Sequence, residues 1–203
     1  QTKTGFLLTK RLLNALRAFL ISRNCYRKSE LDYPAIQLNP KLTWQDLSPK
    51  AIIFCEGYKA IANPWFAGLP FQPAKGEILT YQYDQNLQNI LHVGSWLIPV
   101  SNSIIRLGAS FDRVNLNCLP TEVAKMAITK PLKAMNMAFS DDCLVEHQAG
   151  IRPCTMDKQP FIGSHPVQTQ LHIFNGFGSI GSLMIPWYSQ KFADYLQFGK
   201  PLS

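Results

Sequence analysis

AGIRPCTMDKQPFIG (149–163) and, after a short gap, FNGFGSIGSLMIPW (174–187) carry the densest pattern of arginine, proline and glycine in the chain's last third. The first closes an apolar run, CLVEHQAGIR (143–152), that reads as a strand ending in Arg152. Pro153 holds the backbone before it extended. An arginine on so rigid an element can clamp a carboxylate through two parallel hydrogen bonds, or simply pair with a nearby Asp or Glu. The second stretch follows QLHIFN (170–175), a short strand, and leads into a helix predicted over residues 181–197. Between them Gly176, Gly178 and Gly181 spell G-x-G-x-x-G. A complete dinucleotide unit needs roughly 30 residues of βαβ and an acidic residue roughly 20 positions on. Here Asp194 lies within the helix and Ser203 is the last residue, so the three glycines do not make that unit. The physics of the turn still holds: glycines let backbone approach a flat ligand, and the first amides of a helix carry partial positive charge. A strand–helix turn that holds no ligand is the other reading.

Near the amino end, apolar residues 8, 12, 13, 16, 19 and 20 recur with helical period and predict an amphipathic helix over 9–22. AIIFCEG (51–57) is a short buried strand stopped by glycine, and NPWFAGLPFQPAKG (63–76) is a proline-punctuated loop. EILTYQY (77–83), NILHVGSWLIPV (89–100) and SIIRLGASFD (103–112) read as an antiparallel meander. Residues 121–139 are helical with an interruption at Pro131. The fold class is therefore α+β, a mainly antiparallel sheet with flanking helices.

Of 203 residues, 46% are hydrophobic and 16% charged, which describes a globular chain. Gly5 to Ile21 is the most apolar stretch, but Lys10, Arg11 and Arg17 interrupt it, which excludes an integral membrane segment. The net charge of +7 is concentrated in the first helix and is not interleaved with stacking aromatics. That excludes nucleic acid as the expected partner and leaves a solvated helix face or a field that draws anionic ligands. Cys25, Cys55, Cys118, Cys143 and Cys154 have no paired spacing, and Cys143 with His147 supplies too few ligands for a metal. Free, mostly buried thiols in a reducing cytoplasm are expected. His165 and His172 show no recognisable partner in the sequence.

These segments resemble the FAD-dependent glycine and D-amino-acid oxidases. In that family G-x-R-P…D-x-x-P-x-I-G carries the arginine that binds the substrate carboxylate; Gly150, Arg152, Pro153, Asp157, Pro160, Ile162 and Gly163 match it. AIIFCEGYKAIANPWFAGLPFQPAKGEIL (51–79) is similar to the family segment that leaves an A-x-G strand beside FAD and continues to L-P-x-x-P-x-K-G, with Leu69, Pro70, Pro73, Lys75 and Gly76 matching. GFLLTKRLLNALRAFL (5–20) resembles the helix before it. The resemblance implies edge pieces of an FAD-binding lobe at 1–57 and 143–203 and a substrate lobe at 58–142. It implies FAD contacts at Gly57, Gly176, Gly178, Ser179, Ile180 and Gly181, and a carboxylate on Arg152 with Tyr81, Tyr83 and Trp96 as pocket walls. His92 is a further wall or an ordinary half-buried sheet residue. The implied reaction oxidises the C–N bond of an amino acid or secondary amine by hydride transfer to flavin, and assigns no side chain as a catalytic acid or base.

Three departures refine the resemblance. Gly150 stands near the register at which monomeric sarcosine oxidases attach flavin through cysteine, so FAD is expected to bind non-covalently. Ile180 replaces the lysine that those relatives use as a carboxylate anchor. Glu56-Gly57-Tyr58 replaces the small residues usual after the A-x-G strand. An amino-terminal G-x-G-x-x-G segment is expected as a partner, and Gln1 reads as a start within a longer chain. Alone, the chain is expected to be inactive and, exposing apolar surface, to self-associate. The alternative is a non-catalytic lobe that binds a partner protein or a small anion.

Overall fold

The computed structural model describes residues 5–84, 87–137 and 139–202. Contacts divide the chain into two units, Pro73–Arg152 and Leu7–Gln72 with Pro153 onward. Both boundaries fall later in the chain than 57 and 142, and Leu144–Arg152 belongs with the meander. In chain order the elements are α1 (Thr9–Ser22), β1 (Ile36–Gln37), β2 (Thr43–Trp44), β3 (Ile52–Phe54), β4 (Ala74–Gln82) and β5 (Leu91–Val93). There follow β6 (Ser95–Pro99), β7 (Ile104–Gly108), α2 (Glu122–Lys133), β8 (Leu144–Arg152), β9 (Phe161–Ser164), β10 (Leu171–Asn175) and α3 (Gly181–Phe198).

The first unit, here the sheet lobe, is one antiparallel sheet in the order β5-β6-β7-β4-β8 with α2 packed on one face. The α+β class with a mainly antiparallel sheet is as the sequence predicts. The expected strand 89–100 is instead a tight hairpin, because Gly94 with φ of +72° turns the chain between β5 and β6. The long β4 does not pair with β5; it lies between β7 and β8. Side-chain alternation along β4 sends Lys75, Glu77, Leu79 and Tyr81 to one face, and Gly76, Ile78 and Thr80 to the other. Leu79, Tyr81, Leu97, Ile105 and Leu107 form the core with Ile128 and Leu132 of α2. The expected interruption at Pro131 does not occur. The proline sits in the last turn of α2, where it removes one backbone bond while Ile128 and Leu132 anchor the helix. Thr121 caps the other end by accepting from the Ala124 amide.

The second unit, the aromatic lobe, holds a three-stranded sheet ordered β3-β10-β9, in which β10 runs parallel to β3 and antiparallel to β9. Ile36, Leu42, Phe54, Phe66, Leu171 and Ile173 form its core. Phe54 stacks on Trp65 at 5.6 Å between ring centres. β1, β2 and β9 escape the sequence reading because they are two to four residues long, too short to show a period of two. α1 forms over the expected residues, yet none of its side chains is buried, and Leu12, Leu13, Leu16 and Phe19 are exposed. The thiols correct another expectation: Cys25, Cys55, Cys118 and Cys143 are exposed and Cys154 is half-buried. They lie in loops, a turn and element edges, outside both hydrophobic cores. No described helix is long and apolar enough to cross a membrane.

Candidate functional site

In the aromatic lobe the parallel strands β3 and β10 end side by side, and the loops that leave their carboxy ends meet. Asn175, 4% exposed, ties them together. Its Nδ2 donates to the Gly57 carbonyl at 2.9 Å, and its Oδ1 accepts the Gly176 amide at 2.8 Å. Gly57, Gly176 and Gly178 have φ of +61°, +86° and +55°, a region that favours glycine. A Cβ at Gly176 would lie 2.8 Å from Thr155 Cγ2, whereas one at Gly57 would meet nothing. The Gly178 amide donates to the Pro153 carbonyl at 3.2 Å, which pins the turn against the segment after the arginine strand.

The turn opens into α3, whose N-cap position, Ile180, offers no side-chain oxygen. Among the described residues no acceptor faces the amides of Ser179, Gly181 and Ser182. These donors, at the positive end of an 18-residue helix and beside bare glycine backbone, fit the electron-rich edge of a flavin. The pyrophosphate is another matter. No strand follows α3 among the described residues, so these residues hold no second strand of a βαβ unit after Gly176–Gly181.

Glu56, the departure in the sequence motif, has a structural task beside Gly57. It accepts from the Tyr33 hydroxyl at 2.5 Å and from Asn63 Nδ2 at 2.8 Å. Asn63, fully buried, in turn accepts the amides of Trp65 and Phe66 through Oδ1. Burial, then the Glu56 hydrogen bond, push the Tyr33 phenol up to about 12. His172 also gains partners invisible in the sequence: Ser164 Oγ lies 2.9 Å from its Nδ1 and 2.8 Å from the Tyr195 hydroxyl. Burial pulls the imidazole below its ordinary pKa.

In the sheet lobe Arg152 ends β8, on the same sheet face as Gly76 and Gly150. Its Nη1 donates to the carbonyls of Lys75 at 3.3 Å and Ser110 at 3.2 Å, and its guanidinium lies 5.9 Å from the Phe111 ring centre. Tyr81 and Tyr83, expected as pocket walls, lie in the core against Phe139, with 1% and 9% exposure. Alternation accounts for Tyr81: it shares a face with Leu79, while Arg152 points from the other. Trp96 and His92 are paired residues of the β5–β6 hairpin and share the Gly108 face, where a Cβ on Gly108 would come within 2.4 Å of the Trp96 ring.

The sequence reading missed a buried ion pair. Lys75 Nζ lies 3.0 Å from Glu77 Oε1, with side-chain exposures of 1% and 3%. The ammonium also donates to the Leu119 carbonyl and to Asn117, and Glu77 accepts both the amide and the hydroxyl of Thr121. His147 Nε2 comes within 2.8 Å of Glu77 Oε2, outside hydrogen-bonding geometry. The K-x-E spacing on a strand was the available signal, since alternation puts both side chains on one face. Glu77 lines a cleft of about 590 Å³ together with Ser95, Ser110, Phe111, Ala127 and Pro131. The structure thus gathers Gly57 with Gly176–Gly181 in the aromatic lobe, and sets Arg152 apart from the two tyrosines in the sheet lobe.

Residues 35–195 match the family model of the FAD dependent oxidoreductases. Among curated proteins, the glycine oxidase of Pseudomonas putida is 24% identical over 66% of this chain and 37% of its own length. The glycine oxidase of Bacillus subtilis is 26% identical over 62% of this chain and 35% of its own. The chain thus spans well under half the length of these relatives. Among solved structures, iminodiacetate oxidase from Chelativorans sp. superposes with a TM-score of 0.72 at 20% identity, covering 94% of this chain and 55% of that one. L-proline dehydrogenase from P. horikoshii gives 0.70 at 18% identity, covering 93% and 56%. With its model matched over most of its length, the chain belongs to the family of FAD dependent oxidoreductases.

Proposed function

We propose that this chain supplies the substrate arm and the flavin-edge turn of an FAD-dependent oxidoreductase that oxidises the C–N bond of a small amino acid or secondary amine. The observation that carries the reading is the uncapped glycine turn into α3, tied through Asn175 to Gly57 at the ends of two parallel strands. When bound, FAD supplies the two-electron acceptor for hydride. The turn's amides hold the cofactor's electron-rich edge, non-covalently, while Arg152 holds the substrate carboxylate. Orientation and exclusion of water are the protein's contribution, and no side chain is assigned as acid or base. The relatives' names support the substrate class: glycine, iminodiacetate and L-proline each carry an amine-bearing carbon next to a carboxylate. The uncovered apolar side of α1 supports a further polypeptide segment as partner, one that carries the phosphate-binding βαβ unit.

The test joins the chain to a strand–G-x-G-x-x-G–helix segment and screens glycine, sarcosine, proline and iminodiacetate. The expected product is a yellow protein that oxidises at least one of them, whereas the 203-residue chain alone loses FAD on gel filtration. Arg152→Lys should raise KM for the carboxylate substrate roughly 10- to 100-fold, the worth of one charge-assisted bond. Stoichiometric flavin on the chain alone, or an unchanged KM, would overturn the corresponding part.

A further inference from the structure

Gly76 lies inside the nine-residue β4 of the sheet lobe, where a glycine weakens the strand and packs nothing. Its φ is not in the left-handed region, so the backbone does not require glycine there. Space does. A Cβ on Gly76 would fall 1.9 Å from Arg152 Nη2 and 2.1 Å from both Cζ and Nη1. Three guanidinium atoms at nearly equal distance mean that the flat of the group lies over the glycine Cα. The register explains the approach: Ala74 faces Arg152 and Gly76 faces Gly150, so Arg152 reaches diagonally across two rows to the bare position. The carbonyls of Lys75 and Ser110 and the ring of Phe111 hold the plane in place. Beside it, a Cβ on Gly150 would meet no atom of the described residues within 4 Å.

We infer that Gly76 is a positioning residue: its bare Cα is the seat that fixes the plane of the Arg152 guanidinium, and so the direction from which a carboxylate is gripped. The inference rests on the proposed reading of Arg152 as the carboxylate anchor. A methyl group at 76 and the guanidinium cannot share the seat. The arginine is the far end of a flexible side chain, so it moves and the strand stays. The fold survives while the fork geometry, which bidentate binding requires, is lost.

The experiment is a double-mutant cycle of Gly76→Ala and Arg152→Lys in the flavin-loaded, full-length protein. Gly76→Ala should raise KM for a carboxylate-bearing amine about tenfold or more, the loss of one of two charge-assisted bonds, with kcat changed far less. In the Arg152→Lys background it should change KM no further, because lysine has no plane to seat. A readout independent of turnover is the 15N spectrum of labelled arginine during titration with acetate. The Arg152 guanidinium signal should shift in the parent protein and stay fixed in Gly76→Ala. If Arg152→Lys leaves KM unchanged, the anchor reading fails. If Arg152→Lys raises KM and Gly76→Ala does not, the anchor stands and the seat is overturned. An equal effect of Gly76→Ala in both backgrounds also overturns it, as damage to the strand. Should Gly76→Ala fail to fold, the double variant must fold, and its failure would refute the steric argument.

Discussion

In the sheet lobe the buried polar groups are charged: Lys75 and Glu77 sit 3.0 Å apart, almost fully enclosed, and further bonds to Thr121, Asn117 and Leu119 complete their shells. In the aromatic lobe the corresponding groups are mostly neutral. His172, Ser164 and Tyr195 form a chain of hydroxyl and imidazole contacts, and Glu56 faces the neutral donors Tyr33 and Asn63. A buried ion pair is stable only while complete, since either charge alone meets a desolvation penalty. A neutral chain tolerates the loss of one bond but resists any change of protonation. The two lobes should therefore fail under different insults.

The largest effect is expected on the charged side. Glu77→Ala leaves the Lys75 ammonium buried and should destabilise the sheet lobe by roughly 3–5 kcal/mol. Replacing both residues, Lys75→Met with Glu77→Leu, should recover most of that. Urea unfolding followed at Trp96, in a background where the other tryptophans are phenylalanine, measures both. Equal losses in the single and double variants would mean that the pair is valued for something other than its mutual neutralisation.

Next comes the turn of the aromatic lobe. Gly176→Ala must adopt φ of +86° and bring its methyl to 2.8 Å from Thr155 and 3.2 Å from the Phe161 amide. Left-handed strain and overpacking together make the cost roughly 2–4 kcal/mol, read as a lower urea midpoint at Trp65. Gly76→Ala, which displaces a side chain and no backbone, should cost much less. The contrast separates a glycine required for its φ from one required for its emptiness.

That contrast also marks what the sequence made legible. Motif spacing located Arg152 and the Gly176–Gly181 turn, because a strand-ending arginine and a strand–glycine–helix junction are local patterns. It could not show that β4 lies between β7 and β8, since strand order depends on contacts far apart in the chain. Without that order the diagonal from Arg152 to Gly76 is invisible. The family resemblance puts Tyr81 and Tyr83 at the pocket, although the alternation that sets Tyr81 beside Leu79 is readable in the sequence. Glu56 looked like a departure from a motif; only the fold brings Tyr33 and Asn63 to it.

Glu56→Ala tests that last point. It removes the acceptor of Tyr33 and of the fully buried Asn63, so it should cost the aromatic lobe roughly 1–3 kcal/mol. The Trp65 signal should register the loss and the Trp96 signal should not.

The smallest effects, and the most direct comparison, come from pH. Burial pushes the Glu77 pKa up, but the Thr121 amide, the Lys75 ammonium and the Thr121 hydroxyl outweigh it and hold the carboxyl below its usual range. A depressed carboxylate contributes its full stability above its unfolded pKa, about 4.3, and loses it as pH falls through the folded value. Glu77 should thus contribute the same stability at pH 7 and at pH 5. His172 is depressed by burial, so below about 6.5 the unfolded chain takes up a proton that the folded chain does not. The aromatic lobe should weaken over that same interval. At the other extreme, Tyr33 is pushed up to about 12, so above about pH 10 the unfolded phenol ionises first and the aromatic lobe weakens again. Urea midpoints at Trp65 should therefore fall on both sides of neutrality, while those at Trp96 fall only in alkali, where burial also pushes up the Tyr81 phenol of the sheet lobe. Tyr33→Phe should shrink the alkaline limb, leaving the part that comes from the Cys55 thiol, which is also pushed up, and His172→Gln should abolish the acid one. Midpoints that move together at both tryptophans between pH 7 and 5 would show that the lobes unfold as one, and the difference in their buried polar groups would then have no separate consequence.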